Sequence, residues 1–198
     1  GTTAFSNTDY SFSYSGSIAE GYVNNYNNYL ITQGVTPIES RLITIEELEG
    51  LGCSRSSYSC SGAPSWVYAT SYWSMSAYDN NNVWFVYTFN EILRGSYFIE
   101  KYFGVRPVIE MSVDDIKLPE KPVMVSGDYD TVGSEVAIGD EHFYVISSDD
   151  TSVTMLAKYN LYVGGEYDAD EDIWTAYGEE ATGMQESSML GLVGGQSI

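Results

Sequence analysis

Positive charge is what this chain has least of. Lys and Arg number 8 against 28 Asp and Glu, for a net charge of −20 over 198 residues. Phosphate binding needs clustered cations, so no nucleic-acid partner is expected, and the same field disfavours anionic membrane surfaces. Long hydrophobic runs are also missing. No stretch approaches the roughly 18–20 apolar residues of a membrane span, so no membrane insertion is expected of these residues. Histidine occurs once, at His142, and cysteine twice, at Cys53 and Cys60. That arithmetic fails for the common zinc sites and leaves no credible Ser-His-Asp or Cys-His set. His142 lies in an alternating pattern and reads as a strand residue rather than a general base. No cofactor is expected. No signal-peptide pattern opens the chain. With Gly1 in place of Met it reads as a piece excised from a longer one, so a missing leader carries no information.

What is abundant is aromatic and apolar. Hydrophobic residues make up 43%, enough for a packed core, and the length suits one domain. Tyrosine occurs 18 times, beside 4 Trp and 7 Phe. Tyr, Ser, Gly and Asn dominate residues 1–104. This palette suits a binding surface, because Tyr offers rigid contact area at low entropic cost and Ser, Gly and Asn offer adaptable hydrogen bonds. A β-rich extracellular domain with half-buried tyrosines would show the same composition. Charge is uneven: residues 1–115 hold 12 acids against 5 bases (net −7), and residues 116–198 hold 16 against 3 (net −13).

Periodicity predicts a helix over Ile18–Gln33, with Ile18, Val23, Tyr26 and Leu30 on one face and Gly34 just past its end. Thr44 and Glu47 form a capping box for a second, shorter helix that Gly50 and Gly52 stop. Glu46, Glu47 and Glu49 read as its solvated face and cap. Cys53-Ser-Arg-Ser-Ser-Tyr-Ser-Cys60 is a polar loop with cysteine at both ends. A disulfide is the economical reading; free thiols or a redox pair are the alternatives. Strands are predicted at Trp66–Thr70, Val83–Thr88 and Val105–Met111, with turns at Asn80-Asn81-Asn82 and Arg94-Gly95-Ser96. Asp114–Pro122 reads as linker. Glu135–Ile138, His142–Ser147 and Ser152–Lys158 read as a meander. Asp168, Asp170 and Asp172, followed by Glu179, match positions of a calcium loop, but Ile173 stands where that loop needs glycine. The weak metal candidate is therefore read as a solvated acidic loop.

Several segments together resemble a known family. They are Arg41-Leu-Ile-Thr-Ile-Glu-Glu-Leu48, Pro64-Ser-Trp66, Tyr72-Trp-Ser74, Val83-Trp-Phe-Val86 and Phe103-Gly-Val-Arg-Pro-Val108. They look like the variable proteins of diversity-generating retroelements, which have a C-type-lectin fold, and like the related formylglycine-generating-enzyme-like lectin domains. The resemblance covers Gly1–Ser112. Ile138–Leu161 resembles the hairpin that normally opens such a domain, and Gly183-Met-Gln-Glu-Ser-Ser the segment that normally precedes Gly1. The opening hairpin thus follows the closing strand, which implies a circular permutation, a piece of a tandem array, or segment exchange with a neighbour.

The resemblance implies an α+β, C-type-lectin-like fold, with two helices around a small, twisted, mostly antiparallel sheet. Residues 1–115 would be the body, 116–134 a linker, and 135–198 a hairpin and acidic loops completing the same fold. The family mechanism randomises adenines in AAC or AAT codons, which by the genetic code never yields Met, Trp, Lys, Glu or Gln. Residues 78–82 and 92–99 contain only permitted types, whereas Trp73, Met75, Trp84, Glu91, Glu100 and Lys101 would be fixed scaffold. Loops rich in Asn, Tyr and Ser pass this filter on composition alone. The implied ligand-binding residues are Tyr78, Asp79, Asn80, Asn81, Asn82, Phe85, Tyr87, Leu93, Arg94, Ser96, Tyr97, Phe98 and Ile99. Trp66, Trp73, Trp84 and Val86 would hold the platform, and Arg106 would be a buried ion-pair partner or a surface charge. The expected function is non-catalytic: a receptor or adhesin with a hypervariable surface for a protein or glycan, outside the cell or on a virion. The alternatives are a formylglycine-generating-type oxidase and a structural module of a pilus or phage fibre.

Overall fold

The computed structural model describes residues 2–6, 11–88, 92–97, 101–117, 125–163, 165–168 and 173–176. The chain is α+β. Helix α1 (Ile18–Thr32) starts where the Ser17 hydroxyl accepts from the Glu20 backbone N–H at 3.0 Å, and its buried face is Ala19, Tyr22, Val23, Tyr26 and Leu30. Strand β1 (Glu39–Arg41) leads to α2 (Ile45–Gly50). Strands β2 (Tyr72–Ala77), β3 (Asn82–Tyr87) and β4 (Ile92–Tyr97) form a three-stranded antiparallel sheet in chain order. Then come β5 (Val108–Ser112), the short α3 (Val113–Lys117), β6 (Val125–Gly127), β7 (Glu135–Ile138), β8 (Glu141–Ser148) and β9 (Ser152–Ala157). A separate hairpin joins β10 (Gly165–Asp168) to β11 (Ile173–Ala176), where the sequence shows no periodicity.

The larger sheet has six strands in the order β1-β5-β9-β8-β7-β6. Each of its pairings is antiparallel, and Val108 faces Leu156 across β5 and β9. The predicted meander β7–β8–β9 therefore docks directly on the strand that follows Arg106-Pro107. Both faces of this sheet are covered. Ile109, Met111, Phe143, Val145, Val153 and Met155 meet α1 in one core, while Val108, Ile146 and Leu156 meet α2 and the cysteine loop in a second. This explains why β9 is an unbroken buried run from Val153 to Ala157 rather than an alternation.

Four expectations need correction. Trp66–Thr70 is not a strand; Ser65–Tyr68 is a single 3-10 turn begun by Pro64, whose carbonyl accepts from the Val67 N–H at 2.9 Å. Arg94-Gly95-Ser96 lies within β4, not in a turn. The helices number three among the described residues, because Val113–Lys117 coils where a linker was expected. Residues 116–134 are likewise more than a linker, since β6 pairs with β7 and extends the sheet.

The capping box at α2 is complete. Thr44 Oγ1 accepts from the Glu47 N–H at 3.1 Å, and Glu47 Oε2 accepts from the Thr44 N–H at 3.0 Å. Arg41 adds two more bonds to the same carboxylate, at 2.8 and 2.6 Å. Burial pushes the Glu47 carboxyl up, but the Arg41 and Thr44 hydrogen bonds and the Arg41 charge outweigh it and hold it below 4.5. A depressed carboxyl stabilises the fold fully above its unfolded value and loses that contribution as pH falls through its folded value. Glu47→Gln is expected to cost about 1–2 kcal/mol at neutral pH. The gap to the parent should narrow at acid pH, as the parent's own carboxyl becomes protonated on falling through its depressed folded value. Urea midpoints at neutral and acid pH test this; a gap that widens on acidification would contradict it.

Candidate functional site

The predicted variable stretch is built on β2, β3 and β4. The turn between β2 and β3 is held by Asp79. Its carboxylate accepts from the Asn81 N–H at 2.8 Å and from Asn82 Nδ2 at 2.8 and 2.9 Å. The Asn81 N–H first, and then Asn82, keep this carboxyl below its ordinary value. The Tyr78 N–H donates to the Asn82 carbonyl at 2.8 Å, closing the turn, and the Phe12 N–H donates to the Asn80 carbonyl at 2.9 Å. A cleft of about 540 Å³ lies beside the turn, lined by Ser11, Phe12, Ala77, Asp79, Asn80 and Asn81.

On the other side, Tyr78 stands edge-on to Trp84, with ring centroids 4.7 Å apart, and is 40% exposed. Its hydroxyl lies 2.9 Å from that of Tyr58, which sits at the tip of the cysteine loop and is 44% exposed. The Tyr58 ring also approaches Trp84, at 5.8 Å. Cys53 and Cys60 form a disulfide, and Ser54 and Ser59 pair across the loop's neck. Arg55 ties the loop to α2 through Glu49 at 2.7 Å and Glu46 at 3.6 Å. Tyr58 has φ +53, the only positive φ outside glycine among the described residues. That left-handed backbone costs a non-glycine residue about 1 kcal/mol. The two tyrosines thus form an exposed, hydroxyl-linked ledge over the nearly buried indole of Trp84. Gly95, opposite Trp84 in β4, makes room for it, because a Cβ there would run into the Tyr78 ring.

The predicted residues fall into distinct groups. Tyr78, Asp79 and Asn80 are exposed, and Asn81 and Asn82 are half-buried around the turn. Tyr87 is exposed at the opposite end of β3. Leu93, Arg94, Ser96 and Tyr97 lie on β4, in register with Val86, Phe85, Val83 and Asn82. Phe98 and Ile99 lie outside the described residues. Phe85 is misplaced by the sequence reading. It is 5% exposed and stacks on Phe103 at 4.0 Å, because β3 is covered on both faces and alternation there does not separate inside from outside. Among the platform residues, Trp73, Trp84 and Val86 are buried. Trp66 is half-buried and stacks on Tyr144 at 4.6 Å.

Arg106 is fully buried, yet the expected acidic partner is a set of carbonyls instead. Its Nε donates to Ala157 O, and its Nη1 to Trp66 O at 2.8 Å and Val67 O at 3.2 Å, with the guanidinium 5.0 Å from the centre of the Tyr72 ring. His142 Nδ1 lies 3.0 Å from Glu135 Oε1, which also accepts from Lys158 at 2.9 Å; this is a polar surface cluster around the Lys158–Glu135 ion pair. Asp168 ends β10, while Asp170, Asp172 and Glu179 lie outside the described residues. Among the described residues no His, Cys, Asp and Glu group is arranged to hold a metal ion, and no helix is long and apolar enough to cross a membrane. Sequence reasoning overlooked Tyr58, Ser11 and Phe12. Only Tyr58 carried a signal, as the single aromatic in a serine-rich cysteine loop. No family model, curated protein or solved structure matches the chain.

Proposed function

We propose that this chain is a non-catalytic binding protein, a receptor or adhesin that displays a diversified surface on a C-type-lectin-like scaffold outside the cell or on a virion. The observation that carries this reading is the split between turn and strand. Tyr78, Asp79 and Asn80 project from the β2–β3 turn, whereas Trp73 and Trp84, which the codon filter forbids to vary, are buried beneath. The disulfide supports an oxidising setting. It also weighs against the oxidase alternative, which needs reactive thiols, because Cys53 and Cys60 are bonded to each other. The docking of β9 on β5 supports the resemblance in its permuted order, with the opening hairpin after the closing strand.

The test is a library with random residues at Asn80, Asn81 and Tyr87. Exposed substitutions away from caps and cores shift stability by only about 0.5 kcal/mol each. Most members are expected to melt cooperatively near the parent temperature, and selection against unrelated targets should yield binders. A library that is largely unfolded would show these positions to be structural and end the display reading. A reverse transcriptase and a near-copy template repeat beside the gene would independently support diversification.

A further inference from the structure

We infer that the Tyr58–Tyr78 ledge, anchored by Tyr58 outside the stretch expected to vary, is a subsite for a cationic side chain, so that the ligand is a basic segment of a partner protein carrying Arg or Lys. The inference rests on the binding-protein reading and names the chemistry of its partner. Two independent observations carry it.

The first is the ledge. Tyr58 lies outside the stretch expected to vary. It is held exposed in a backbone conformation that tyrosine disfavours, by a disulfide-closed loop and by a hydroxyl contact to Tyr78. The residue is 44% exposed, and a cation over the face of a tyrosine ring is attracted by the ring quadrupole.

The second is charge. The chain carries −20, and residues 1–115 are themselves net negative, so the field draws in cations and repels polyanions. Asp79 adds a local charge that reaches the Tyr78 phenol, and that phenol is pushed above its ordinary value first by the Tyr58 hydrogen bond. The one cation on the cysteine loop, Arg55, is held by Glu49 and Glu46 and leaves the ledge to an incoming group. A planar guanidinium suits the ledge better than an ammonium, since it stacks on one ring while donating to a phenolic oxygen.

The experiment titrates the whole chain with an (Arg-Gly)5 peptide, a (citrulline-Gly)5 peptide of equal length and shape, and (Ser-Gly)5, at physiological salt, by NMR and by the fluorescence of the tryptophans. The arginine peptide should bind, and the citrulline and serine peptides at least fivefold more weakly. Tyr58→Gly suits the left-handed backbone and should melt no lower than the parent, yet weaken arginine-peptide binding about two- to fivefold, the value of one exposed cation–π contact. Tyr78→Ala should do the same. Gly95→Ala keeps both tyrosines but displaces the Tyr78 ring, and should weaken binding equally. Equal affinity for the citrulline peptide would overturn cation recognition. Unchanged affinity in folded Tyr58→Gly and Tyr78→Ala would show diffuse attraction to the acidic surface and overturn the ledge as the site. Either failure leaves the display reading intact if the library still folds and yields binders, whereas an unfolded library sinks that reading and not this one.

Discussion

Trp73→Ala is expected to destabilise the fold by about 3–5 kcal/mol, the range for deleting a large, fully buried aromatic ring. Trp73 is 0% exposed and sits where four chain segments meet. Its ring is edge-on to Phe5 at 5.6 Å, to Phe85 at 6.1 Å and to Phe103 at 4.8 Å. Its indole N–H donates to the Thr3 carbonyl at 2.9 Å, which ties the N-terminal arm to β2. Alanine removes the ring contacts, leaves a cavity among aromatics that cannot collapse onto it, and leaves the Thr3 carbonyl with only the Phe103 N–H at 3.1 Å. Trp73→Phe keeps most of the volume and loses only the N–H, so it should cost less than half as much. In urea titrations the midpoint should fall with an unchanged slope. A midpoint for Trp73→Ala within error of the parent would mean that this ring does not organise the core. A large loss there, beside a stable randomised turn, would separate scaffold from display.

The second large effect is expected at Arg106. Arg106→Ala should cost about 3 kcal/mol or more, because hydrogen bonds from a charged donor are lost and carbonyls are left dry. The guanidinium joins β9, through Ala157 O, to the 3-10 turn, through the Trp66 and Val67 carbonyls. After truncation the Val67 carbonyl would keep the Tyr72 hydroxyl at 2.6 Å, but Trp66 and Ala157 would lose the donor that joins them. Burial holds the Arg106 pKa below its ordinary value, yet a guanidinium remains charged at any pH a protein survives. Arg106→Lys offers a point charge that cannot serve two elements at once, and should recover less than half the loss. If Arg106→Met were as stable as the parent, the carbonyls would have to find other donors, and the clamp would be dispensable.

Arg106 also gives physical meaning to the segment Gly104-Val-Arg-Pro-Val108. A Cβ at Gly104 would strike the Asn160 side chain and the Ser71 carbonyl. Val105 is buried, and its carbonyl accepts from the Leu161 N–H at 2.8 Å. The Pro107 carbonyl accepts from the Ala157 N–H at 2.7 Å before β5 pairs with β9. Each residue of the motif therefore docks the body onto the C-terminal meander.

Local signals were legible wherever the cause was local. The capping box of Thr44 and Glu47, the face of α1 that carries Val23, Tyr26 and Leu30, and the meander from Glu135 to Ala157 were all readable, because caps, helical faces and hairpin turns need only nearby residues. The candidate site was readable in part. The Asn80–Asn82 turn followed from composition, the exposure of Tyr78 only from the resemblance, and the Cys53–Cys60 staple from spacing. What escaped depends on partners far along the chain. Phe85 points inward because β3 has a core on each side, and no residue within β3 announces the second one. Gly95 reads as a turn until the Tyr78 ring is seen to occupy the space beside it. Residues 125–127 read as linker until β7 offers them an edge to pair with. Tyr58 becomes part of a surface only when the loop folds back on Trp84, a contact spanning 26 residues whose geometry the packed sheet alone decides.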